Sequence, residues 1–462
     1  MQEPLSHCGP GDGGVPRRGP LATLAFVLLC NAGANAQSVW VVDAAAGPGA
    51  QFQDLPAAVL AAADGDILRV RPGTYSPFQL QGKGLRILGE DQASVIVRGA
   101  GPIRFSGTSN VQTIWIQDLS FRLVATTNAI DTSLKVEDTL GNVVLQRVRV
   151  QPEGTLPAAT SSTSPLVLRR CAEVHLLEVH VESSIQRGVG ASAGAAAIAV
   201  ESSTLEIANS TAYGESAAAG SSPVPGGAGI SVRGGRLFAF RTVCLGGQGS
   251  TGCAATQLPG GDGGAGIEAS AGAELEIAGR VQSWQLGVQG GHGGGDCNPF
   301  GPYQGNGGPG FALNGAHARC LGLTPVRGGG RIPGVPVVVQ GGGTYSQDPL
   351  ATPALASIVG IPRARGTVYL VLDSAPGAIA FLMLSLDHAI TPLPLLDFGP
   401  LMLVPSLGNI VGPQPLTLSH WTMLVDLTAL WQRNVPLVLQ YLSLDGKYLY
   451  ASNSIALLVP SS

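Results

Sequence analysis

Residues 52–90 read FQDLPAAVLAAADGDILRVRPGTYSPFQLQGKGLRILGE, and this stretch decides the fold. It predicts a short helix and then two strands joined through a Gly-Thr-Tyr corner. Asp54 is placed to cap the helix, Pro56 falls in its first turn, and Asp64-Gly65 supplies a stop signal. A helix in this place would cover the open first coil of a β-solenoid, whose strand edges and core are otherwise exposed.

The same stretch resembles the N-terminal signature of bacterial right-handed parallel β-helix proteins of the pectin lyase-like superfamily. The shared pattern is a helix, Gly-Asp, an alternating strand, Pro-Gly-Thr-Tyr and K-x-L-x-I-x-G. The residues that carry the match are Asp64, Gly65, Asp66, Pro72, Gly73, Thr74, Tyr75, Lys83, Leu85, Ile87 and Gly89. The resemblance implies a fold but no single activity, because the superfamily includes lyases, hydrolases, esterases, epimerases, adhesins and proteins with no known chemistry.

The composition favours a secreted repeat protein with few charges. Of 462 residues 66 are glycine, about twice the usual share, and 45% are hydrophobic, so the chain is not of the disordered class. The net charge of −4 predicts no attraction to nucleic acid or to anionic lipid. No stretch of the mature chain predicts a membrane span. The expected partner is an extracellular polysaccharide or the cell envelope, and the expected state is a monomer.

Residues 1–36 predict a secretory signal peptide, which places the mature protein outside the cell or on its surface. Arg17 and Arg18 precede the apolar run LATLAFVLLC, and the segment ends in Ala34-Asn35-Ala36. Lipid attachment at Cys30 is a weaker alternative, because Leu29 stands where lipoprotein cleavage requires a small residue.

The mature chain divides into three predicted parts. Residues 37–345 form the β-helix, 346–366 a linker, and 367–462 a small C-terminal β-sandwich, since short apolar runs recur there at roughly 8–12-residue spacing. The predicted fold class is therefore all-β: a right-handed parallel β-helix with an N-terminal capping helix, followed by the sandwich.

Period-two alternation from residue 39 to about residue 181 predicts inward aliphatic rows, with arginines pointing outward between them. Four of these arginines, Arg69, Arg71, Arg147 and Arg149, are candidates for glycan binding, because guanidinium groups form paired hydrogen bonds with carboxylate or sulfate. The alternative is that they form an ordinary solvated surface.

An internal repeat appears in the second half of the chain. GGAGI begins at residues 226 and 263, and GGPGF at residue 307, spacings of 37 and 44 residues. Leu205, Leu237 and Leu275 are predicted to stack in register. The glycine-rich stretches between the repeats lack apolar periodicity, and we expect them to leave the coils on one side as loops.

The mature chain has five cysteines, and export makes disulfides the expected state. Cys-Leu-Gly occurs at 244–246 and at 320–322, which suggests equivalent coil positions for Cys244 and Cys320. The predicted bridges are Cys244–Cys253 and Cys297–Cys320, with Cys171 left free. Zinc binding is the alternative, since His292 and Asp296 lie near Cys297, and His317 lies near Cys320, but CxxC spacing is absent.

Two hypotheses remain for function. The first is a non-catalytic extracellular β-helix that binds glycan or serves as a scaffold, and it assigns no catalytic residue, metal or cofactor. The second is a polysaccharide lyase or glycoside hydrolase. A lyase would need calcium ligands beside a base, and the compact acidic group available contains Asp118, Asp131, Glu137 and Asp138, with Lys135 as the base.

Overall fold

The structure is a computed structural model. It describes most of the solenoid, in several segments, and individual strands of the chain that follows it. The described residues are 37–124, 133–156, 163–183, 186–187, 194–217, 223–251, 260–279, 287–294, 304–322, 324–330 and 333–349, followed by strands between residues 355 and 458. The predicted signal peptide lies outside this part of the chain.

Twenty-five strands pair in parallel as a three-sided solenoid, whose sides we name faces A, B and C in chain order. Face A consists of Val39–Val42, Ile67–Val70, Arg86–Gly89, the first halves of Thr113–Val124 and Asn142–Glu153, Glu173–Leu177, the second halves of Ile198–Ala208 and Ile230–Phe240, Glu274–Ala278, His317–Leu321 and Thr344–Asp348. Face B consists of Gly73–Tyr75, Val95–Gly99, the second halves of Thr113–Val124 and Asn142–Glu153, His180–Glu182, Thr211–Tyr213, Val243–Leu245, Val288–Gln289 and Val326–Arg327. Face C consists of Gln79–Gln81, Ile103–Ser106, Leu134–Glu137, Leu166–Arg169, the first halves of Ile198–Ala208 and Ile230–Phe240, Ile267–Ser270, Phe311–Asn314 and Val337–Gln340.

The core lies inside the three faces and is built from aliphatic rows that run from coil to coil. Leu205, Leu237 and Leu275 pair in register on face A and are buried, as the repeat predicted. Ile230, Ile267 and Phe311 pair in the same way on face C. Each fully buried side chain of this kind contributes about 1.5–3 kcal/mol of transfer free energy, so the stacked rows are the main source of stability.

The helix α1, Leu55–Ala61, covers the first coil as the sequence predicted. Asp54 caps it by accepting the Leu55 N–H at 2.8 Å, and Pro56 occupies its first turn. Leu55, Ala58 and Val59 are buried against the core. The first coil therefore does not present an open apolar end.

The corners between faces A and B repeat one backbone conformation. Asp118, Arg147, Glu178, Asn209 and Arg241 each follow the last face A residue of their coil, and all have φ between 46° and 56°. This left-handed conformation is uncommon for residues other than glycine. Its recurrence at equivalent positions of successive coils shows that the stacking determines the corner.

The glycine-rich stretches form a two-layered extension of the solenoid at the corner between faces B and C, which we name the glycine wing. Its upper layer, residues 214–217, 246–250, 290–294 and 328–329, continues the strands of face B. Its lower layer, residues 194–197, 224–229, 260–266 and 305–310, leads into the strands of face C. Segments within a layer are joined by hydrogen bonds such as Gly246 N–H to Gln289 O at 2.9 Å.

The two layers are also joined to each other by backbone hydrogen bonds. Gly264 donates to Gly247 O at 2.9 Å, Gly291 donates to Gly264 O at 2.7 Å, and Gly308 donates to Gly291 O at 2.8 Å. Exposure follows a period of three: Asp262 is exposed, Ala265 is half-buried, and the glycines between them are buried. This period is that of a polyproline II helix, in which one residue in three points outward.

Glycine is required at the wing positions where the backbones approach too closely for a Cβ atom. A Cβ atom added at Gly291 would lie 1.9 Å from Gly247 O, and one added at Gly264 would lie 2.0 Å from Gly227 O. The same crowding places glycine at every third residue along the axis of collagen. These stretches leave the coils on one side, at the B–C corner, as predicted. The sequence analysis did not predict that their described residues pair through the backbone, an order that needs no apolar periodicity.

The parallel pairing ends at Asp348, and antiparallel pairing begins at Leu355. One sheet contains Leu355–Val359, Thr367–Asp373 and His420–Asp426; a second contains Asn409–Pro415, Ile379–Ser385, Pro436–Leu444, Leu449–Ala451 and Ile455–Leu458; a third contains His388–Pro394 and Pro400–Leu403. Thr155–Leu156 and Gln186–Arg187 form a further short pair.

The predicted fold class is confirmed: the chain is an all-β solenoid with a helix at its first coil and antiparallel strands after its last. The division at residues 345 and 366 remains a prediction. Across the described residues, α1 has seven residues and no helix has the length and apolarity needed to cross a membrane.

Because the wing is closely packed, we expect the stability of the protein to fall when a single methyl group is added to it. Replacing Gly291 with alanine should destabilise the protein by about 1–3 kcal/mol, since the methyl group has no space beside the Gly247 carbonyl. The measurement is thermal unfolding followed by circular dichroism. Gly101→Ala is the matched control, because a Cβ there meets only Pro77 at 3.5 Å. Equal unfolding midpoints for the two variants would contradict the close packing of the wing.

Candidate functional site

The outer side of face A is closed to ligands over its middle coils. Trp115, Val144 and His175 are aligned in register on that outer side, and each is at most 1% exposed. The imidazole of His175 lies between two buried carboxylates, with Nδ1 2.9 Å from Glu206 Oε2 and Nε2 3.1 Å from Glu173 Oε1. This cluster belongs to the interior of the protein.

Burial by itself lowers the pKa of His175, but the charges and hydrogen bonds of Glu173 and Glu206 outweigh it and raise the pKa to about 10. The imidazole is therefore protonated at neutral pH, and its positive charge balances that of the buried carboxylates beside it.

The sign of this shift gives a prediction. A group whose pKa is raised on folding contributes stability that is fully present below about pH 6.5, the unfolded value. That contribution should be lost as the pH rises from about 6.5 through about 10. Chemical denaturation at pH 6, 8 and 10 measures it, and His175→Gln should flatten this part of the profile. An unchanged slope in the variant would show that another group causes the loss.

Face B is the side of the solenoid on which polar and aromatic side chains are partly exposed next to one another. Arg149, His180 and Thr211 are register partners on three successive coils. Glu182 and Tyr213 form the next outward row. We name these five residues the face B cluster.

The contacts within the cluster leave its groups accessible. Glu182 Oε2 lies 3.7 Å from both Arg149 Nη2 and His180 Nε2, too far for a strong hydrogen bond. His180 Nδ1 is hydrogen-bonded to the hydroxyl of Thr211. The His180 and Tyr213 rings meet edge to face, with centroids 5.5 Å apart. The Arg149 side chain is 46% exposed, so its guanidinium can meet a ligand.

Burial lowers the pKa of His180, and the neighbouring positive charge of Arg149 lowers it further, against the opposing effect of Glu182. The ring is therefore neutral at pH 7. A neutral imidazole, a guanidinium and a phenol on one open surface can donate and accept hydrogen bonds and stack against a sugar ring.

The four arginines predicted to bind glycan do not form one surface. Arg69 lies on the outer side of face A and Arg149 on face B, while Arg71 and Arg147 lie at corners. Arg147 is held by Asp118 through bonds of 2.6 and 2.8 Å, and burial leaves its side chain 22% exposed. Arg71 is paired with Asp43 at 3.0 Å. Within this set Arg149 is the most open to a ligand.

The acidic group considered for a lyase is not assembled in the structure. Asp118 lies at an A–B corner with Arg147, whereas Asp138 lies at a C–A corner, paired with Arg170 at 2.6 and 2.9 Å. The hydrogen bond from Arg170 holds the pKa of the Asp138 carboxyl below its usual value. The width of face A separates these two carboxylates, so they cannot share one calcium ion.

The other members of that group also fail to form a calcium site with Asp118 or Asp138 among the described residues. Glu137 is buried between Arg104 at 2.6 Å and Arg169 at 3.8 Å. Lys135 lies on the outer side of face C, in register with Arg104. Asp131 lies outside the described residues. In the part of the chain that the structure describes, no group of three or more His, Cys, Asp or Glu side chains is arranged to hold a metal ion.

The cysteines occupy core positions, and the predicted equivalence of Cys244 and Cys320 is wrong. Cys244 is on face B, in register with Ala212 and Val288, whereas Cys320 is on face A, in register with Ile277. Both are free thiols in the structure, at most 1% exposed, and burial raises the pKa of each to about 12. His317 is exposed, three residues from the buried Cys320, so the two do not point at one metal.

Cys253, Cys297 and Asp296 lie outside the described residues, so the bridges Cys244–Cys253 and Cys297–Cys320 remain predictions. Thiol counting tests them. With the core thiols free, Cys171, Cys244 and Cys320 should resist alkylation in the folded protein and react after unfolding without reductant, because burial shields them. Peptide mapping that finds Cys171 as the sole alkylated residue would instead establish the two bridges.

A cavity of about 490 Å³ lies beside α1. Its lining residues are Pro56, Val59, Leu60, Pro77, Phe78, Gln79, Gln81, Lys83, Gly101 and Pro102. Lys83 is the one titratable side chain in this lining, and its Nζ donates to the carbonyls of Val59 and Ala62 at 2.6 and 2.7 Å. It thus fixes the end of α1 and supplies no acid–base pair.

Sequence reasoning treated His180 as an outward residue and did not find Tyr213. The signal that could have found them is the coil period: His180 and Thr211 are 31 residues apart, the same spacing as between Leu176 and Ile207 of the core. Applied to outward positions, that period brings Tyr213 beside the two.

No family model matches the sequence, and no curated protein matches it. Among solved structures the chain is similar to the crystal structure of pectate lyase Pel9A, at 12% identity and a TM-score of 0.30, over 68% of this chain and 75% of that one. It is also similar to ORF18 of Geobacillus virus E2, at 9% identity and a TM-score of 0.16, over 85% of this chain and 68% of that one. At these TM-scores neither likeness carries an argument, and the β-helix is assigned from this chain's own strand register.

Proposed function

We propose that this chain is an extracellular β-helix protein that binds polysaccharide through the face B cluster without cleaving it. The observation that carries the proposal is the partly exposed row Arg149, His180 and Thr211, with Tyr213 packed against His180. Export is supported by the predicted signal peptide, residues 1–36.

The cluster suits a sugar chain for three reasons. A phenol ring offers an apolar face to a pyranose ring and a hydroxyl to its oxygens. A guanidinium donates paired hydrogen bonds to a carboxylate, a sulfate or adjacent hydroxyls. The surface is open along the solenoid axis, so an extended polymer can cross several coils, each about 4.8 Å apart.

Binding without cleavage is supported by the charge arrangement. Hydrolysis requires two facing carboxylates, and β-elimination requires a base beside a neutralised uronate. Glu182 is the one carboxylate of the face B cluster. Asp118 and Asp138, two of the acidic residues weighed for a lyase, are held in ion pairs at separate corners.

The test is affinity measurement against a panel of acidic and neutral polysaccharides with the mature protein. Arg149→Ala should weaken binding about 10-fold through the loss of a charge-assisted hydrogen bond, and Tyr213→Ala should weaken it by a similar factor through the loss of ring stacking and a hydroxyl contact. Arg236→Ala is the matched control, because its side chain is 48% exposed and lies on face A, paired with Glu274. Binding that survives both cluster variants would refute the site.

The same samples decide between binding and catalysis. Unsaturated uronates and reducing ends should stay at background, with or without calcium. Calcium-dependent release of either product would favour the lyase or hydrolase alternative, and Lys135→Ala and Asp138→Ala would then show whether the acidic group takes part.

A further inference from the structure

The upper layer of the glycine wing and face B form one continuous surface. Tyr213, Leu245 and Gln289 are register partners at the end of face B. The ladder then continues without a break, because Gly214 donates to Leu245 O and Gly246 donates to Gln289 O, at 2.8 and 2.9 Å. The surface that carries the face B cluster therefore extends outward along the wing.

The outermost positions of this extension form a regular row of polar side chains. Ser216, Gln248 and His292 are exposed and lie in one row, since Ala217 donates to Gln248 O and Gly249 donates to His292 O. Gln289 and Leu245 lie three residues nearer the solenoid, a distance of about 9 Å in a polyproline II segment. Between the two rows only glycine backbone is present on the upper segments 246–247 and 290–291.

Two physical properties follow from this arrangement. The surface is flat, because glycine contributes no side chain between the rows. It is also rigid, since each segment is hydrogen-bonded to two or more neighbours by backbone groups, and little conformational entropy is lost when a ligand binds.

The charge of the wing's upper layer points to an uncharged ligand. Its exposed side chains are a hydroxyl, an amide and an imidazole, and its one carboxylate, Glu215, is buried. The charged groups lie beside it on face B, where Arg149 is 3.7 Å from Glu182, Arg98 and Arg122 share Glu153, and Arg327 is exposed at the end of the Gln289 row. A polyanion would gain no attraction from the upper layer of the wing itself. A single soluble chain would also find no cleft in which to bury both of its sides.

We infer that the upper layer of the wing, beside the face B cluster, binds the flat face of an ordered array of neutral polysaccharide chains, as in an insoluble crystalline glycan. Hydroxyl groups at regular spacing on the array meet the rows of amide, hydroxyl and imidazole groups, and many weak contacts add up across the area. The inference rests on the proposed function and names its ligand class.

The test is co-sedimentation with microcrystalline neutral β-glucan and with chitin powder, beside a soluble polyuronate. Gln248→Lys places a charged ammonium on the flat upper surface and should weaken binding to the crystalline polymer at least about 10-fold. Asn306→Lys is the matched control, because Asn306 is also an exposed wing residue preceded and followed by glycine, but it lies in the lower layer. The control should bind like the unmodified protein, at low and at high salt alike.

The outcomes separate the inference from the proposed function. Loss of binding in Tyr213→Ala with full binding in Gln248→Lys would overturn the inference and leave the face B cluster as the glycan site. Equal losses in Gln248→Lys and Asn306→Lys would overturn it as well. Absence of binding to every polymer, soluble or crystalline, would refute the proposed function itself. Matching thermal unfolding curves confirm that the variants are folded.

Discussion

The parallel hydrogen-bond register between successive coils is the constraint on which the rest of the structure depends. Each coil must rise by about 4.8 Å, whatever its length. Between the paired residues Ile198 and Ile230 the chain takes 32 residues for one coil, and between Ile230 and Ile267 it takes 37. The added residues fall between the strands of face B and face C. There the same rise brings the backbones of the described wing segments within hydrogen-bonding distance of one another.

The register also determines which charged side chains form ion pairs. Each residue lies beside the residue that follows it by one coil, about 30 positions later in the chain. An outward arginine therefore often pairs with a carboxylate that is distant in the sequence. Arg147 with Asp118 and Arg169 with Glu201 are pairs of this kind. Partly exposed pairs contribute little stability, but they occupy guanidinium groups that would otherwise be available to a ligand. That is why a row of outward arginines in the sequence does not become a basic surface in the structure.

The sequence predicted the solenoid, α1 and the core rows, because alternation in period two and repeats of inward aliphatic residues depend on local spacing alone. The left-handed corners at Arg147 and Arg241 could not be predicted, since arginine does not favour that conformation and the stack imposes it. The wing was missed for a different reason. Its order comes from backbone approach, and the period of three in GGQG and GGDGGAG was the available signal. The face B cluster required pairing outward residues across coils, which local alternation does not specify.

The wing and the corners show two solutions to one problem of crowding. At a corner the chain must turn from one face to the next within one or two residues, and a side chain is tolerated there at a cost in backbone strain. In the wing the chain runs straight between neighbours on several sides, and the crowding falls on the Cβ position itself, as at Gly294, where a Cβ would lie 1.7 Å from Ser250 O. In the segments 246–249, 260–266, 290–294 and 305–310 two of every three positions are glycine, and the third position varies without disturbing the backbone pairing. The chemistry of the upper surface is therefore set by the residues at those third positions, Ser216, Gln248 and His292, on a scaffold that does not depend on them.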